Sequence, residues 1–213
     1  MGQFRLTLTK EAKPVKRYND VLLITGDGSN LVNDINEFLA WDVPHDVMAI
    51  GRSIKAYPEQ IAHYADIDAD EGKWVADNLH NNYPKKVNGI TVRHTLGVVD
   101  WFDAGWDLVG NPWPSDEVMW HGSTSFFAVL VGLELGYKRI VLAGCPLDSK
   151  GHWYFPDEDW GPKWTGETYQ VWFEFTLDER KRKCRSMSGY TEILLGRPDK
   201  EFFDGFSKRL IAD

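Results

Sequence analysis

Residues 121–125, His-Gly-Ser-Thr-Ser, set an imidazole, a glycine and three successive hydroxyls directly before an apolar stretch. A helix start carries unpaired N–H groups and the positive end of the helix dipole. Gly122 with Ser123, Thr124 and Ser125 therefore reads as an anion cradle. Capping by Ser123 or Thr124 accounts for one hydroxyl, not three. A histidine here is a candidate general base near neutral pH, and a structural hydrogen-bonding role for His121 is its plainer reading.

Three other stretches carry comparable chemistry. In Gly26-Asp27-Gly28-Ser29-Asn30 the glycines would let backbone approach a ligand at the start of the next helix. The third glycine of the dinucleotide fingerprint is missing, so the pattern argues against NAD. Asp27 suits a ribose hydroxyl or a base amine better than a phosphate, and an ordinary tight strand–helix turn is the alternative. In "AGCPLDSKGHWYF", Asp148, His152 and Tyr154 follow a buried strand, where side chains reach a ligand. Cys145 has no base beside it in sequence and reads as a buried filler. In "CRSMSG", Arg185 is a candidate phosphate clamp, with Ser186 and Ser188 at the same edge. A surface arginine continuing the "DERKRK" charges is the competing reading.

Two patterns point elsewhere. Asp66, Asp68 and Asp70 resemble both an EF-hand start and the Asp-x-Asp signature of metal-dependent sugar transferases. Glu71 stands where the EF-hand loop needs glycine, the Asp-x-Asp pattern is short and common, and a solvated acidic turn is expected ahead of an Asp-x-Asp metal site. No metal ligands are assigned. Trp101, Trp106, Trp113, Trp120, Trp153, Trp160 and Trp164 crowd the second half of the chain. Their faces could stack on a sugar or base, although filling a core is the usual use.

Positioning these residues requires alternating strands and helices. "VLLIT", "DVMAIG", "GITVRHTL", "EVMW" and "RIVLAG" read as strands, and Phe4–Leu8 as an edge strand in a polar arm over 1–20. "LVNDINEFLA", Ser123 to Leu135, "YPEQIAHY", "WVADNLH" and "TYQVWFEFTLDERKRK" read as helices, with Asn30 or Ser29 capping the first and Gly136 closing the second. Residues 149–165 read as an aromatic loop, "CRSMSG" as a short strand, and a terminal helical region begins at Thr191. Such alternation implies right-handed crossovers and a mainly parallel sheet with helices on both faces, a Rossmann-like α/β fold in a single domain over 1–213. Ligands of such sheets bind beyond the carboxyl ends of the strands.

Bulk properties narrow the partners. The chain has 213 residues with 43% hydrophobic and 14% aromatic content, enough for one sizeable core. A net charge of −8 argues against direct nucleic-acid binding, yet leaves room for a nucleotide in one local pocket. Two distant cysteines, Cys145 and Cys184, suggest a reducing compartment. The start of the chain lacks a signal-like apolar region, and no apolar run approaches the ~20 residues of a membrane span. A cytoplasmic protein is expected, with its oligomeric state, homo-oligomer included, left open.

"GSTSFFAVLVGLELGYKRIVLAGCPLDSKGHWYF" resembles the second half of the bacterial sialyltransferases of glycosyltransferase family 42. It also resembles the related family that contains archaeal 6-hydroxymethyl-dihydropterin pyrophosphokinases. "GDGSNL" is similar to their opening loop and "DVMAIG" to their second strand, so the likeness covers about half the chain in separated blocks. It implies that Asp27, Gly28 and Ser29 line a nucleotide pocket, that Gly51 lies near base or ribose, and that Ser123, Thr124 and Ser125 lie near the donor. Tyr154 matches a tyrosine that supports the leaving phosphate, and Asp148 stands in the place of a second one. The sialyltransferases' catalytic histidine lies beyond this strand, whereas here no histidine follows His152. The ending "RSMSGYTEILLGRP" resembles the tails of uncharacterised bacteriophage proteins, which would place the chain in a host cytoplasm.

The resulting expectation is a transferase using a nucleotide-activated donor, a nucleotide sugar foremost, with His121 or His152 as base to the acceptor. Phosphoryl or pyrophosphoryl transfer from ATP is the second expectation, requiring Mg²⁺ and carboxylates such as Asp148. A non-catalytic nucleotide-binding or assembly protein is the third.

Overall fold

The computed structural model describes residues 5–11, 15–67, 91–96, 102–109, 123–154 and 166–204. Among these, eight strands make one sheet: β1 (Arg5–Glu11), β2 (Val21–Thr25), β3 (His45–Ile50), β4 (His63–Ala65), β5 (Val92–Leu96), β6 (Ala104–Val109), β7 (Arg139–Ala143) and β8 (Cys184–Ser186). Their order is β1-β6-β5-β4-β3-β2-β7-β8. Only β1 runs antiparallel to its neighbour, β6; every other pair is parallel. The helices are α1 (Leu31–Leu39), α2 (Thr124–Glu134), α3 (Gly166–Phe175) and α4 (Gly189–Leu195).

The central strands are mostly apolar because both faces are covered, with Asp46 on β3 a buried exception. Their period-two alternation sends Leu22, Ile24, Met48, Ile140 and Leu142 to one face, with α2 and α3. It sends Val21, Leu23, Val47, Ala49, Val141 and Ala143 to the other, with α1. Helix α2 is buried from Ser125 to Leu133, as its all-round apolar sequence predicts, since α3 covers the side turned away from the sheet. Phe126 meets the rings of Trp172 and Phe175 there, edge to face. The Rossmann-like α/β expectation therefore holds.

The edge strand expected in the polar arm is present and runs on to Glu11, paired to β6. Several other local expectations do not hold. "YPEQIAHY" is not a helix: Pro58 disfavours helical backbone at Tyr57, and His63–Ala65 instead pair with β3 and β5. Strand β6 was not expected, although Ala104 and Trp106 alternate with Gly105 and Asp107. Helix α3 stops at Phe175, and Glu179–Lys183 form a separate 3₁₀ turn. The expected elements "WVADNLH" and "EVMW" lie outside the described residues, as do residues 155–165 of the aromatic segment. Among the described residues no helix is long and apolar enough to cross a membrane. Both cysteines are buried and unbonded to each other, and burial pushes the Cys184 thiol up to about 12.

Candidate functional site

From β2 the chain steps outward through β3, β4, β5 and β6, then returns to the opposite side of β2 as β7. Strand order therefore reverses between β2 and β7, where an open parallel sheet leaves a crevice at its carboxyl rim. A cavity of about 160 Å³ lies there. It is lined by Gly26, Asp27 and Gly28 after β2, by Ser123, Thr124 and Ser125 at the start of α2, and by Asp148 and His152 after β7. Two segments separated by almost a hundred residues thus face one space.

The glycine loop does not act as expected. Gly26 N–H donates to the Ala143 carbonyl and Gly28 N–H to the Gly144 carbonyl, each at 2.8 Å. These two amides are engaged by the neighbouring loop and cannot also cradle an anion. The missing side chains serve the same packing: a Cβ on Gly26 would lie 2.5 Å from Cys145 Sγ, and one on Gly28 2.4 Å from Pro146 Cδ. These glycines let two loops close on each other. Asn30 occupies the cap position of α1 without a side-chain cap bond. Ser29 is absent from the cavity wall, and its buried hydroxyl oxygen has no partner among the described residues.

Asp27 ties three segments together. One carboxylate oxygen accepts the Arg52 N–H at 2.9 Å, and the other accepts the Trp153 indole N–H at 3.3 Å. Its carbonyl accepts the Trp153 amide and lies 3.3 Å from His152 Nδ1. Gly51, with φ +54°, sits against this carboxylate, where a Cβ would come 2.4 Å from Oδ2. Gly51 therefore makes room for Asp27, and Ile50 is the end of β3 that reaches the cavity. Tyr154 also stands off the cavity wall. It stacks on His152 with ring centroids 5.0 Å apart, and the Arg52 guanidinium lies 5.2 Å from its ring.

At the second loop, Ser123 caps α2 by accepting the Phe126 N–H, and its hydroxyl also bonds Ser125 at 2.6 Å and the Trp172 indole N–H at 3.3 Å. Two of the three hydroxyls thus bond each other. Thr124 lines the cavity, and its hydroxyl makes no hydrogen bond among the described residues. The amides of Thr124 and Ser125, in the first helical turn, have no acceptor within the helix. His121 lies outside the described residues. The cavity's cation among the described residues is Lys150, which stands in no recognisable motif.

The loop after β7 is held in an unusual conformation. Leu147 is buried with φ 51°, a left-handed conformation rare for a side-chain-bearing residue. Its anchor is Asp34 on α1, a residue without a distinguishing sequence signal. One Asp34 oxygen accepts the Gly144 N–H at 2.8 Å and the Ser188 hydroxyl at 2.6 Å. Burial raises the Asp34 pKa against these hydrogen bonds. Asp34→Ala would orphan both donors, and a loss of about 2–4 kcal/mol is expected in urea unfolding. A loss below about 1 kcal/mol would show that the loop holds itself.

The fourth stretch does not reach the cavity. Arg185 lies in the middle of β8, so strand alternation turns it to the α1 face. There it lies 4.7 Å from the Phe202 ring centroid and donates to the Cys184 carbonyl. Ser186 is buried and bonds the Thr191 hydroxyl and the Ser188 carbonyl. Neither is a ligand contact in this arrangement. Asp66, expected on a solvated turn, is buried and accepts the Tyr64 hydroxyl at 2.7 Å. Asp68 and Asp70 lie outside the described residues. Cys145 is buried at the cavity, and burial pushes its thiol up, against a nucleophilic role.

Comparison with protein-family models, curated proteins and solved structures returned no match. Fold and site together define a class: an α/β protein with a rim cavity at the reversal point of a mainly parallel sheet.

Proposed function

We propose that this protein is a transferase that takes a nucleotide-activated donor, a nucleotide sugar foremost, in the cavity between the β2 loop and the start of α2. One observation carries the reading: residues 26–28 and 123–125 line the same space at the sheet's switch point. The Thr124 hydroxyl, the first amides of α2 and Lys150 are the groups suited to a donor phosphate. The glycine turn offers shape and apolar contact instead. Asp148 and His152 line the same cavity and are the candidate acceptor-side groups. The resemblance to glycosyltransferase family 42 agrees with this reading. Phosphate held by protein groups in this way requires no metal.

A non-catalytic nucleotide-binding protein is the second reading, and one observation favours it. His152 is stacked on Tyr154 with Nδ1 at the Asp27 carbonyl, so this candidate base is already part of the fold's own bonding. ATP-dependent pyrophosphoryl transfer is the remaining proposal and would bring Mg²⁺ to Asp148.

A thermal-shift panel of CMP, UDP, GDP, ATP and sugar conjugates, with and without Mg²⁺, separates these. A mononucleotide at about a hundred times its Kd is expected to add about 2.7 kcal/mol without metal, raising Tm by about 5–10 °C. Thr124→Ala and Lys150→Ala should each reduce that shift. Metal-dependent stabilisation by ATP alone would support the kinase-like reading, and silence across the panel would overturn nucleotide binding here. Product formation from a sugar conjugate distinguishes turnover from binding.

A further inference from the structure

A chain of five buried or nearly buried side chains crosses the α2 face of the sheet. The Trp106 indole N–H donates to His94 Nδ1 at 3.0 Å, and His94 Nε2 lies 3.1 Å from His63 Nδ1. His63 Nε2 lies 2.9 Å from the Tyr137 hydroxyl, which donates to Asp46 Oδ2 at 2.7 Å. An indole nitrogen can only donate. That settles every proton: His94 accepts at Nδ1 and donates from Nε2, His63 does the same, and Tyr137 passes its own proton to the carboxylate. Asp46 also accepts the backbone N–H groups of Tyr18 and Asn19 and the Asn19 side-chain amide. One run of bonds thus joins β6, β5 and β4 to β3, the turn before β7 and the segment before β2.

This chain cannot absorb a proton. Added to His94, it would go to Nδ1 and face the Trp106 N–H. Added to His63, it would go to Nδ1 and face the His94 N–H. No exchange of tautomers relieves either clash, because the indole end has no acceptor. Nor, among the described residues, is a carboxylate in direct hydrogen-bond contact with either ring. Asp103, the acid nearest His94 in effect, is held by Arg93 through Nε–Oδ2 at 2.9 Å and Nη2–Oδ1 at 3.1 Å. Asp46 acts on His63 through Tyr137, over whose ring the Arg17 guanidinium lies at 6.0 Å, adding like charge.

We propose that the Trp106–His94–His63–Tyr137–Asp46 chain is an acid-sensitive latch. Protonation of the histidine pair opens it, releasing β4, β5 and residues 18–19 while the β2–β7 centre stays closed. The latch descends to Asp46 and Tyr137, near the amino ends of β3 and β7, at the rim opposite the cavity. It is independent of whatever that cavity holds.

Burial pushes the His63 imidazole down to about 4 and His94 well below its ordinary 6.5. The opened state takes up protons that the closed state refuses. The closed state is therefore fully favoured above about pH 6.5 and loses ground as pH falls toward about 4, by about tenfold per pH unit for each histidine.

Residue-resolved hydrogen exchange, corrected for intrinsic rates, tests this. Between about pH 7 and about pH 5, protection at Tyr18, Asn19, Tyr64 and Arg93 is expected to fall at least tenfold, while Leu23 and Val141 keep theirs. His63→Gln, which can accept and donate but does not titrate, should roughly halve the logarithmic pH slope. Imidazole nitrogen shifts should report the Nε2–H tautomer on both rings at neutral pH. Equal loss at the centre, an unchanged slope in His63→Gln, or an imidazolium signal near about pH 6 with protection intact would each overturn the latch. Should His63→Gln fail to fold, the exchange and tautomer measurements on the parent chain decide it alone.

Discussion

Trp172→Ala is expected to lower Tm by about 6–20 °C, the consequence of losing about 3–5 kcal/mol at this chain length. The indole is fully buried on α3, with its ring 5.1 Å from Phe126 and 6.4 Å from Phe175 between centroids. Truncation leaves a void between α3 and α2, which costs free energy to the extent that the helices do not close on it. It also removes the N–H donated to Ser123, the cap of α2 and part of the cavity wall. Trp172→Phe separates the two losses, since it keeps most of the volume and removes only the donor. Its cost should stay near about 1–2 kcal/mol, and any change in ligand affinity should already be present in it. Urea unfolding followed by circular dichroism checks both variants. A cost below about 1 kcal/mol for the alanine form would mean that α3 does not pack on α2 as described.

Gly144→Ala is the second large effect, with about 2–5 kcal/mol expected from two sources. Gly144 adopts φ +64°, where a side chain costs roughly 1–2 kcal/mol. Its new Cβ would also lie 2.7 Å from the Gly26 carbonyl oxygen and 2.7 Å from Leu31 Cβ, so backbone must move. The loop it would displace carries Pro146, Asp148 and Lys150 into the cavity, so any nucleotide-induced Tm shift should shrink in the same variant. Gly166→Ala is the control. It opens α3, nothing among the described residues lies within 4 Å of its Cβ position, and stability should be unchanged or slightly raised. Equal effects at the two glycines would remove the close loop-on-loop packing from this account.

Much of the scaffold was legible in the chain. "VLLIT", "DVMAI" and "RIVLA" are short, predominantly apolar and bounded by turn residues, which suits strands buried on both faces. The run from Ser123 to Gly136 carried its cap, its apolar body and its stop signal in plain order, each a local property of backbone hydrogen bonding. The three-residue β4 leaves no readable pattern, since three residues are less than one helical turn and hold a single strand alternation. Only its neighbours make it a strand. Convergence of the two loops on one cavity also followed from sequence, since alternating strands and helices bring the carboxyl ends of parallel strands to one rim.

What each loop does there was decided elsewhere. A glycine's type says that backbone comes close to something, but not to what. At Gly26 and Gly28 the something is the Cys145–Pro146 loop. Asp27 faces Gly51, Arg52 and Trp153, residues distant in sequence whose contact depends on how β2, β3 and β7 lie side by side. Arg185 looked like a clamp from its place near a strand end; strand register turned it instead to the face where Phe202 waits. Asp34, Asp46 and the His63–His94 pair carry no motif, since their partners come from separate strands and loops. Periodicity and capping act over a few residues, so the amino-acid order determined them. Which buried donor meets which acceptor depends on contacts between segments many residues apart, and only the closed tertiary structure decides those.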